Sequence, residues 1–131
     1  GPISLGSYPL LMAEHNELGE LGEALATIHL KKNNFEIMER NWRYGKEEVD
    51  IIAKKGDEIV IVEVKTRNSD FFGEPEQAVS KSKQTHLVRA AHAYVTKKDI
   101  DLEVRFDVIG IVINNKERRL NHIEGAFQPR W

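Results

Sequence analysis

The sequence predicts an α/β fold in which a mixed β-sheet is flanked by helices, in the core order α-β-β-β-α-β. Two segments carry apolar residues at helical spacing, one near the start of the chain and one in its second half. Between and after them lie runs rich in valine and isoleucine, which are typical of strands. This order of elements predicts a mixed sheet. The 131 residues contain no internal repeat or linker and suit a single domain.

Composition narrows the classes of protein to which the chain can belong. Hydrophobic residues make up 40% of the sequence and charged residues 31%, which fits a folded globular protein. The net charge of −2 gives no overall attraction to nucleic acid, so any such contact needs a local basic patch. Because there is no cysteine, disulfides and thiolate metal sites are excluded, and a reducing compartment is compatible with the sequence.

The apolar runs of the sequence indicate where in the cell the protein is expected, and its first residues indicate where the domain begins. No apolar run approaches the length of a membrane span and no signal peptide is apparent, so we expect a cytoplasmic protein with no membrane partner. Residues 1–11 begin with Gly-Pro, which resembles the scar left by protease cleavage. We therefore expect residues 1–11 to be an added segment and residues 12–131 to form the single domain, with Met12 as the native start.

The first helix is predicted to begin at the capping residue Asn16 and to end near Lys32. Its buried face is predicted to consist of Leu18, Leu21, Leu25 and Ile28. Gly19 and Gly22 lie inside this helix, where each costs about 1 kcal/mol relative to alanine. That cost predicts that another element packs very close to the glycine side. Glu23 lies near the same flank, and taken alone it is more typical of a solvated side chain than of a ligand.

Residues 47–67, EEVDIIAKKGDEIVIVEVKTR, predict the β-hairpin on which the functional interpretation depends. A two-residue loop formed by Gly56 and Asp57 fixes the register. Counting outward from it gives the pairs Lys55–Glu58, Ile52–Ile61, Asp50–Glu63 and Glu48–Lys65. Because side chains alternate along a strand, one face is apolar. That face comprises Val49, Ile51, Ala53, Val60, Val62 and Val64. The charged residues share the other face with Ile52 and Ile61.

The predicted pairing of Asp50 with Glu63 places two carboxylates opposite one another. Like charges in this position cost roughly 0.2–1 kcal/mol when solvated, and more when half-buried. The pair therefore needs a cation between its members, a raised pKa on one of them, or a different register. A divalent-metal site with Lys65 on the same face is the first option. The alternatives are an ordinary solvated hairpin face and a loop one residue longer, which would turn Asp50 to the other side.

Further strands are predicted on both sides of the hairpin. Residues 35–43 alternate weakly and carry large apolar side chains, which favours a first strand. Residues 102–113 are almost continuously apolar and predict a central strand. After a turn at Asn114-Asn115-Lys116, residues 119–124 are predicted to pair back as an edge strand.

A loop and a second helix connect these strands. Residues 68–75 have turn chemistry, and the adjacent Phe71-Phe72 within them either plug the core or form an apolar flap, of which plugging is the commoner outcome. The helix begins either at Glu74-Pro75 or after a Ser80 cap, and it ends near Thr96. Its predicted buried stripe is Leu87, Val88, Ala91, Tyr94 and Val95.

Apart from Lys65 and Arg67, the densest group of basic side chains in the sequence lies on the second helix. Its members are Lys81, Lys83, His86, Arg89 and His92. Such a set is most often a solvated face. Together with Lys65 and Arg67, however, it could contact a phosphate backbone.

Several stretches of the sequence resemble a known family. Glu23, Asp50 and Glu63-Val64-Lys65 match the pattern of the PD-(D/E)XK nuclease superfamily, closest to its Holliday-junction-resolvase-like branch. The chain is identified as a member of the YraN family, a bacterial family predicted to be nuclease-like, by GELGEALA (19–26), NWRYGKEEVDIIA (41–53), VEVKTR (62–67), AVSKSKQ (78–84), RFDVI (105–109) and NHIEGAF (121–127). The similarity covers essentially all of residues 12–127 and implies a restriction-endonuclease-like fold.

The resemblance implies a metal-dependent chemistry. Asp50 and Glu63 would hold Mg²⁺ or Mn²⁺, which prefer oxygen ligands, with the backbone carbonyl of Val64 as a further ligand. Lys65 would orient the attacking water or help neutralise the transition state. Glu23 would complete the shell directly or through water.

The resemblance also implies a substrate and partners. Lys83 and Gln84, with Arg67 and Lys81 nearby, would bind the phosphates of DNA, so that the leading hypothesis is an endonuclease acting on branched, repair or recombination structures. Junction-cutting members of the superfamily work as dimers, which makes a homodimer one expected assembly. The main alternative is a non-catalytic module that binds nucleic acid or protein. A small-molecule phosphoesterase is disfavoured, because the sequence has no Gly-rich phosphate loop or histidine cluster.

Overall fold

The computed structural model describes residues 1–5, 15–70 and 73–129 and forms a six-stranded mixed sheet flanked by two helices. In chain order the elements are β1 (Ile3–Ser4), α1 (His15–Lys32), β2 (Glu36–Tyr44), β3 (Glu47–Lys55), β4 (Glu58–Arg67), a short 3-10 helix (Pro75–Gln77), α2 (Lys81–Lys97), β5 (Glu103–Ile113) and β6 (Arg118–Phe127). The predicted α/β class and the core order are confirmed, and the architecture is consistent with a restriction-endonuclease-like fold. Among the described residues, no helix is both long and apolar enough to span a membrane.

The strand order across the sheet is β1-β6-β5-β4-β3-β2, and only β4 and β5 run parallel to each other. The two central strands are therefore joined through α2, as a parallel connection requires. The predicted central position of β5 is confirmed. β6 was predicted as an edge strand, but Ile3 pairs with Leu120 and Ser4 with Arg119, so β1 lies outside it. Part of the segment that was expected to be an addition is thus paired with the sheet.

Both faces of the central hairpin are buried, each under one helix. Ile51, Ala53, Val60 and Val62 pack on the α1 side with Ala26 and Leu30. Ile52, Ile59 and Ile61 pack on the α2 side with Leu87 and Tyr94. The apolar residues on the face that was predicted to be charged therefore belong to the core. The alternative prediction, an ordinary solvated hairpin face, is wrong.

One residue of the predicted apolar face belongs to the opposite cluster. Val49 is 1% exposed and packs with Ile52 and Tyr94, although strict alternation would place it with Ile51. The last ladder pair between β3 and β4 is Ile51–Val62. Before Ile51, β3 is no longer held in register by β4, so the alternation that was counted outward from the turn does not extend to Val49.

α1 approaches the sheet closely at one of the two predicted glycines. A Cβ at Gly22 would collide with the side chain of Thr66 on β4, so only glycine fits at this contact. Gly19 has no described atom near its would-be Cβ, and the prediction of close packing is wrong there. The predicted burial of Ile28 is also wrong, since it is 51% exposed. Leu18, Leu21 and Leu25 do pack against the core, and Ala26 and Leu30 complete the buried face in place of Ile28.

The capping signals predicted the start of α2 but not that of α1. α1 runs from His15 to Lys32, so its end is as predicted, but Asn16 lies inside the helix and the prediction that it caps α1 is wrong. Before α2, both predicted start signals are used: Pro75 opens the 3-10 helix, and Ser80 caps α2 by accepting a hydrogen bond from the Lys83 backbone nitrogen at 3.1 Å. Phe71 and Phe72, which were predicted to be a plug or a flap, lie outside the described residues.

A buried polar chain connects α1, β5 and β6 away from the hairpin. Asp107 is 1% exposed and accepts hydrogen bonds from Arg105 at 2.9 and 3.0 Å, while His122 Nε2 lies 2.7 Å from its Oδ2. His122 in turn contacts His29 of α1 through ring nitrogens 3.0 Å apart. Gly125, at φ +59°, donates its N–H to Asp107. The RFDVI and NHIEGAF stretches therefore join the last strand to the rest of the fold.

Candidate active site

The acidic pair lies where β3 and β4 diverge. The predicted register is confirmed from Lys55–Glu58 to Ile51–Val62, where the ladder ends. One step further, Asp50 Oδ2 accepts a hydrogen bond from the Val64 backbone nitrogen at 2.8 Å. The Asp50 carboxylate thus takes the place of a ladder acceptor and lies against β4 beside Glu63. The two acids share one location, as the register had predicted.

Glu63 is the most deeply buried acid of this group. Its side chain is 4% exposed, and two ammonium groups approach Oε2, that of Lys83 at 3.6 Å and that of Lys65 at 4.0 Å. Burial, followed by the nearby Asp50, which also hydrogen-bonds to Glu63, raises the pKa of Glu63 to about 8. Lys83 and Lys65 oppose this shift but do not cancel it. At neutral pH the Glu63 carboxyl group therefore carries a proton.

Glu23 approaches the pair from α1. Burial, together with the negative charge of Asp50, raises the pKa of Glu23 to about 7. With its amide nitrogen turned toward the carboxylates, Asn41 donates to Glu23 at 2.8 Å and to Glu48 at 3.1 Å. Within the described ranges, no three acidic, histidine or cysteine side chains form a group that could hold a metal ion. Glu23 therefore interacts electrostatically with the Asp50–Glu63 pair, but the three side chains are not arranged to bind one metal ion directly.

Most of the chain is similar to a known protein family. The model of "Uncharacterised protein family UPF0102" matches residues 22–111. The chain belongs to the UPF0102 family. The matched segment contains the acid pair, Glu23, both lysines and α2. The predicted membership of this family, the YraN family, is confirmed.

UPF0102 relatives match the chain over nearly its whole length. A UPF0102 protein of Flavobacterium psychrophilum is 48% identical over 116 residues, which cover 88% of this chain and 98% of the relative. One from Bacteroides thetaiotaomicron is 49% identical over 118 residues, covering 90% and 98%. One from Porphyromonas gingivalis is 43% identical over 118 residues, covering 88% and 87%. The chain therefore corresponds to nearly all of each of these relatives.

The other predicted contact residues of this UPF0102 protein lie around the pair rather than in it. Of the four residues predicted to bind DNA, Lys83 contacts Glu63 directly. Gln84 donates to the carbonyl of Val79 at 3.3 Å, and Lys81 is exposed in the first turn of α2. Arg67 is exposed at the end of β4, where Nη1 donates to the carbonyl of Thr66 at 3.1 Å. None of these three forms a hydrogen bond or ion pair with Asp50 or Glu63 in the described part of the chain.

One predicted cross-strand pair does not form. Glu48 was placed opposite Lys65, but its carboxylate pairs with Arg43 of β2 at 3.2 Å. The reason is the same divergence of β3 from β4 that lets Asp50 reach the Val64 nitrogen. Lys65 is left facing Glu63 alone among the described carboxylates.

Sequence reasoning missed two contributors to the site. Asn41 stands at φ +54°, a conformation that asparagine tolerates better than most residues, and this turns its amide toward Glu23 and Glu48. The Val64 nitrogen anchors Asp50. Asn41 lay in a stretch that the family resemblance had marked, but its role depends on a strand irregularity near Met38, between Ile37 and Glu39, that the residue pattern does not reveal.

Proposed function

We propose that this UPF0102 protein is a metal-dependent endonuclease that hydrolyses phosphodiester bonds in DNA, with branched, repair or recombination structures as its substrates. The observation that carries the proposal is the buried Asp50–Glu63 pair with the ammonium groups of Lys83 and Lys65 at 3.6 and 4.0 Å from Glu63. Two acids placed together away from water cost free energy. A site that takes up a hard cation gives a reason for an arrangement that is unfavourable for stability alone.

The donor set fits Mg²⁺ or Mn²⁺. Asp50 and Glu63 would hold the ion, the Val64 carbonyl would add a backbone oxygen, and Glu23 would act through a bound water, since it forms no direct ligand trio. All of these donors are oxygens, and histidine and cysteine, which softer metals prefer, are not among them. When bound, the ion would lower the pKa of a coordinated water and stabilise negative charge on the phosphate.

The lysines would then act on the reacting groups. Lys65 is 27% exposed, so its ammonium group can reach both the acid pair and an incoming phosphate. There it would orient the attacking water or offset the charge that develops on the phosphate oxygens. Lys83, which is 30% exposed and contacts the same carboxylate, would hold a neighbouring phosphate. Lys81, Gln84 and Arg67 would contact the backbone on either side.

A non-catalytic DNA- or protein-binding module is the second candidate. It is favoured by the net charge of −2, which gives no general attraction to DNA. A pure binding module has no use for a buried acid pair, whereas hydrolysis does. The two functions differ in whether a covalent bond is cut.

We expect the wild-type protein to cut labelled branched DNA in Mg²⁺ or Mn²⁺, and to be inactive in EDTA. Asp50→Asn keeps an acceptor for the Val64 nitrogen and the size of the side chain, yet it removes one charge from the donor set. Its cleavage rate should fall by about a hundredfold or more, the order expected when a metal-binding carboxylate is lost from a metal-dependent site. Gel analysis of junction and linear duplex substrates measures both rates.

Wild-type protein that shows metal-dependent binding to DNA but cuts neither substrate would contradict the endonuclease and leave the binding module. Equal cutting by wild type and Asp50→Asn would mean that the chemistry resides elsewhere. Thermal unfolding of both proteins in EDTA controls for folding of the variant.

A further inference from the structure

A cavity of about 520 Å³ lies along α2, and neither Asp50 nor Glu63 is among the described residues that line it. The described residues that line it come from the end of β2, from about three turns of α2, and from the last residue of β6 and the residue after it. They include Tyr44, Lys81, Gln84, Arg89 and Phe127. Its volume is in the range of about 300–1,000 Å³ that is usual for small-ligand sites and far below what a duplex needs.

The aromatic wall of the cavity is exposed and rigidly supported. Tyr44 is 45% exposed, and its ring lies parallel to that of Trp42, with an interplanar angle of 4° and a centroid distance of 6.3 Å. Trp42 in turn meets the buried ring of Tyr94 edge-on at 5.2 Å. A large exposed ring that is anchored to the core loses little conformational freedom when a flat group stacks on it.

The charge of the cavity favours an anion. Lys81 and Arg89 both line it, and neither forms an ion pair with a carboxylate in the described part of the chain. No aspartate or glutamate is found among the described residues of its lining, although the chain as a whole carries a net charge of −2. The amides of Gln84 and Gln128 add donors and acceptors beside the basic side chains. An anion with a flat ring and polar edges matches all three features.

The cavity and the candidate active site both use residues from the first turn of α2. Lys83, whose ammonium group lies 3.6 Å from Glu63, directly precedes Gln84, which lines the cavity. Lys81, Gln84, Val88 and His92 recur at three- and four-residue spacing, so the lining follows one side of α2 over about 16 Å at about 1.5 Å per residue. A strand with a phosphate at the acid pair would have its next nucleotides beside this side of the helix.

We propose that the cavity binds an unpaired nucleotide of the DNA strand, with the base stacked on Tyr44 and the phosphates facing Lys81 and Arg89. The identity of the strand rests on the proposed endonuclease function. The stacking site itself rests on the ring, the cations and the volume of the cavity. The site gives the protein a preference for DNA with single-stranded regions next to the point of cleavage, because a paired base cannot reach the ring.

Fluorescence anisotropy with a short labelled single-stranded oligonucleotide in EDTA tests this binding without any cleavage. Tyr44→Ala should weaken the affinity about five- to a hundredfold, the equivalent of about 1–3 kcal/mol for one stacked base. Tyr44→Phe keeps the ring and should stay close to wild type. Arg89→Ala should weaken binding and lower the slope of log affinity against log salt by about one. Lys97→Ala is the matched control, since it removes the same charge from the same helix outside the cavity.

Three results would overturn the inference. In the first, Tyr44→Ala binds the oligonucleotide as well as wild type. In the second, a blunt duplex binds as tightly as the single strand and loses as much affinity in Tyr44→Ala. In the third, a free deoxynucleoside monophosphate competes as effectively as the oligonucleotide, which would make the cavity a mononucleotide site. Loss of the stacking effect while branched DNA is still cut refutes this inference alone, whereas intact stacking without any cutting refutes only the proposed function.

Discussion

In the absence of metal and at pH 9, Glu63→Gln is expected to be several kcal/mol more stable to unfolding than the wild-type protein. The pKa of Glu63 is raised from 4.5 to about 8 in the folded state by burial and by Asp50. Each unit of pKa shift corresponds to about 1.4 kcal/mol, so ionising this group in the folded protein is costly. A glutamine side chain never ionises, and its amide can donate to Asp50 as the protonated acid does.

The sign of the pH dependence follows from proton binding. Between pH 4.5 and pH 8 the folded protein holds a proton on Glu63 that the unfolded chain has released. In the wild type, protonation of Glu63 therefore contributes fully to the free energy of unfolding below pH 4.5. This contribution is lost as the pH rises toward 8. Glu23, whose pKa is raised to about 7, acts in the same direction in both proteins and does not enter their difference.

Urea unfolding of the two proteins in EDTA at several pH values measures this difference. The stabilities should be similar near pH 4 and separate as the pH rises. Lys65 and Lys83 are present in both proteins. Their attraction to a charged Glu63 is therefore already included in the free energy of unfolding measured for the wild type. A variant that is less stable than wild type at pH 9, or a difference that does not change with pH, would show that Glu63 is ionised without strain in the folded protein.

Lys65→Met should lower DNA cleavage about a hundred- to ten-thousandfold, the usual range for one group that assists proton transfer or offsets transition-state charge. Methionine retains most of the side-chain length without the ammonium group. The group lies 4.0 Å from Glu63, a weak ion-pair distance at a partly exposed position, so its loss should cost the fold little. Single-turnover rates on branched DNA with Mg²⁺ measure the effect on chemistry apart from product release.

Lys97→Met is the control for this substitution, because Lys97 ends α2 far along the helix from Lys83. It should cut at the wild-type rate. Metal-induced stabilisation of Lys65→Met should also remain, since Lys65 is not a ligand. Cleavage by Lys65→Met within a few-fold of wild type would remove Lys65 from the chemistry, and joint loss of cleavage and metal binding would make it part of the metal site.

The fold could be predicted from the sequence where one local rule decided the outcome. The two-residue turn at Gly56-Asp57 fixed the hairpin register through Ile51–Val62. Local rules failed where contacts between elements decide: Ile28 fits an apolar helical stripe, yet α1 packs with Gly22 against Thr66 and leaves Ile28 exposed. Val49 packs in the cluster on the α2 side for a similar reason, because the pairing of β3 with β4 ends at Ile51, before Val49.

The candidate site was partly predictable for the same reasons. Asp50 and Glu63 follow from counting outward along the hairpin, and Lys65 follows from alternation. Lys83 reaches Glu63 only because α2 packs across that face of the sheet, and helical spacing alone could not show this. Asn41 depends on a positive φ in an irregular strand. The cavity beside Tyr44 joins residues from three distant segments, so the sequence supplied its basic side chains but not their assembly.

Isothermal titration with Mn²⁺ near pH 7, in buffers of different ionisation enthalpy, tests most directly whether Asp50 and Glu63 share one cation. Because the pKa of Glu63 is about 8, an ion that binds there must displace its proton. We predict one ion per chain with close to one proton released, falling toward none above pH 9, and no such binding by Asp50→Asn. Binding at pH 7 without proton release, or with unchanged affinity in Asp50→Asn, would contradict the account.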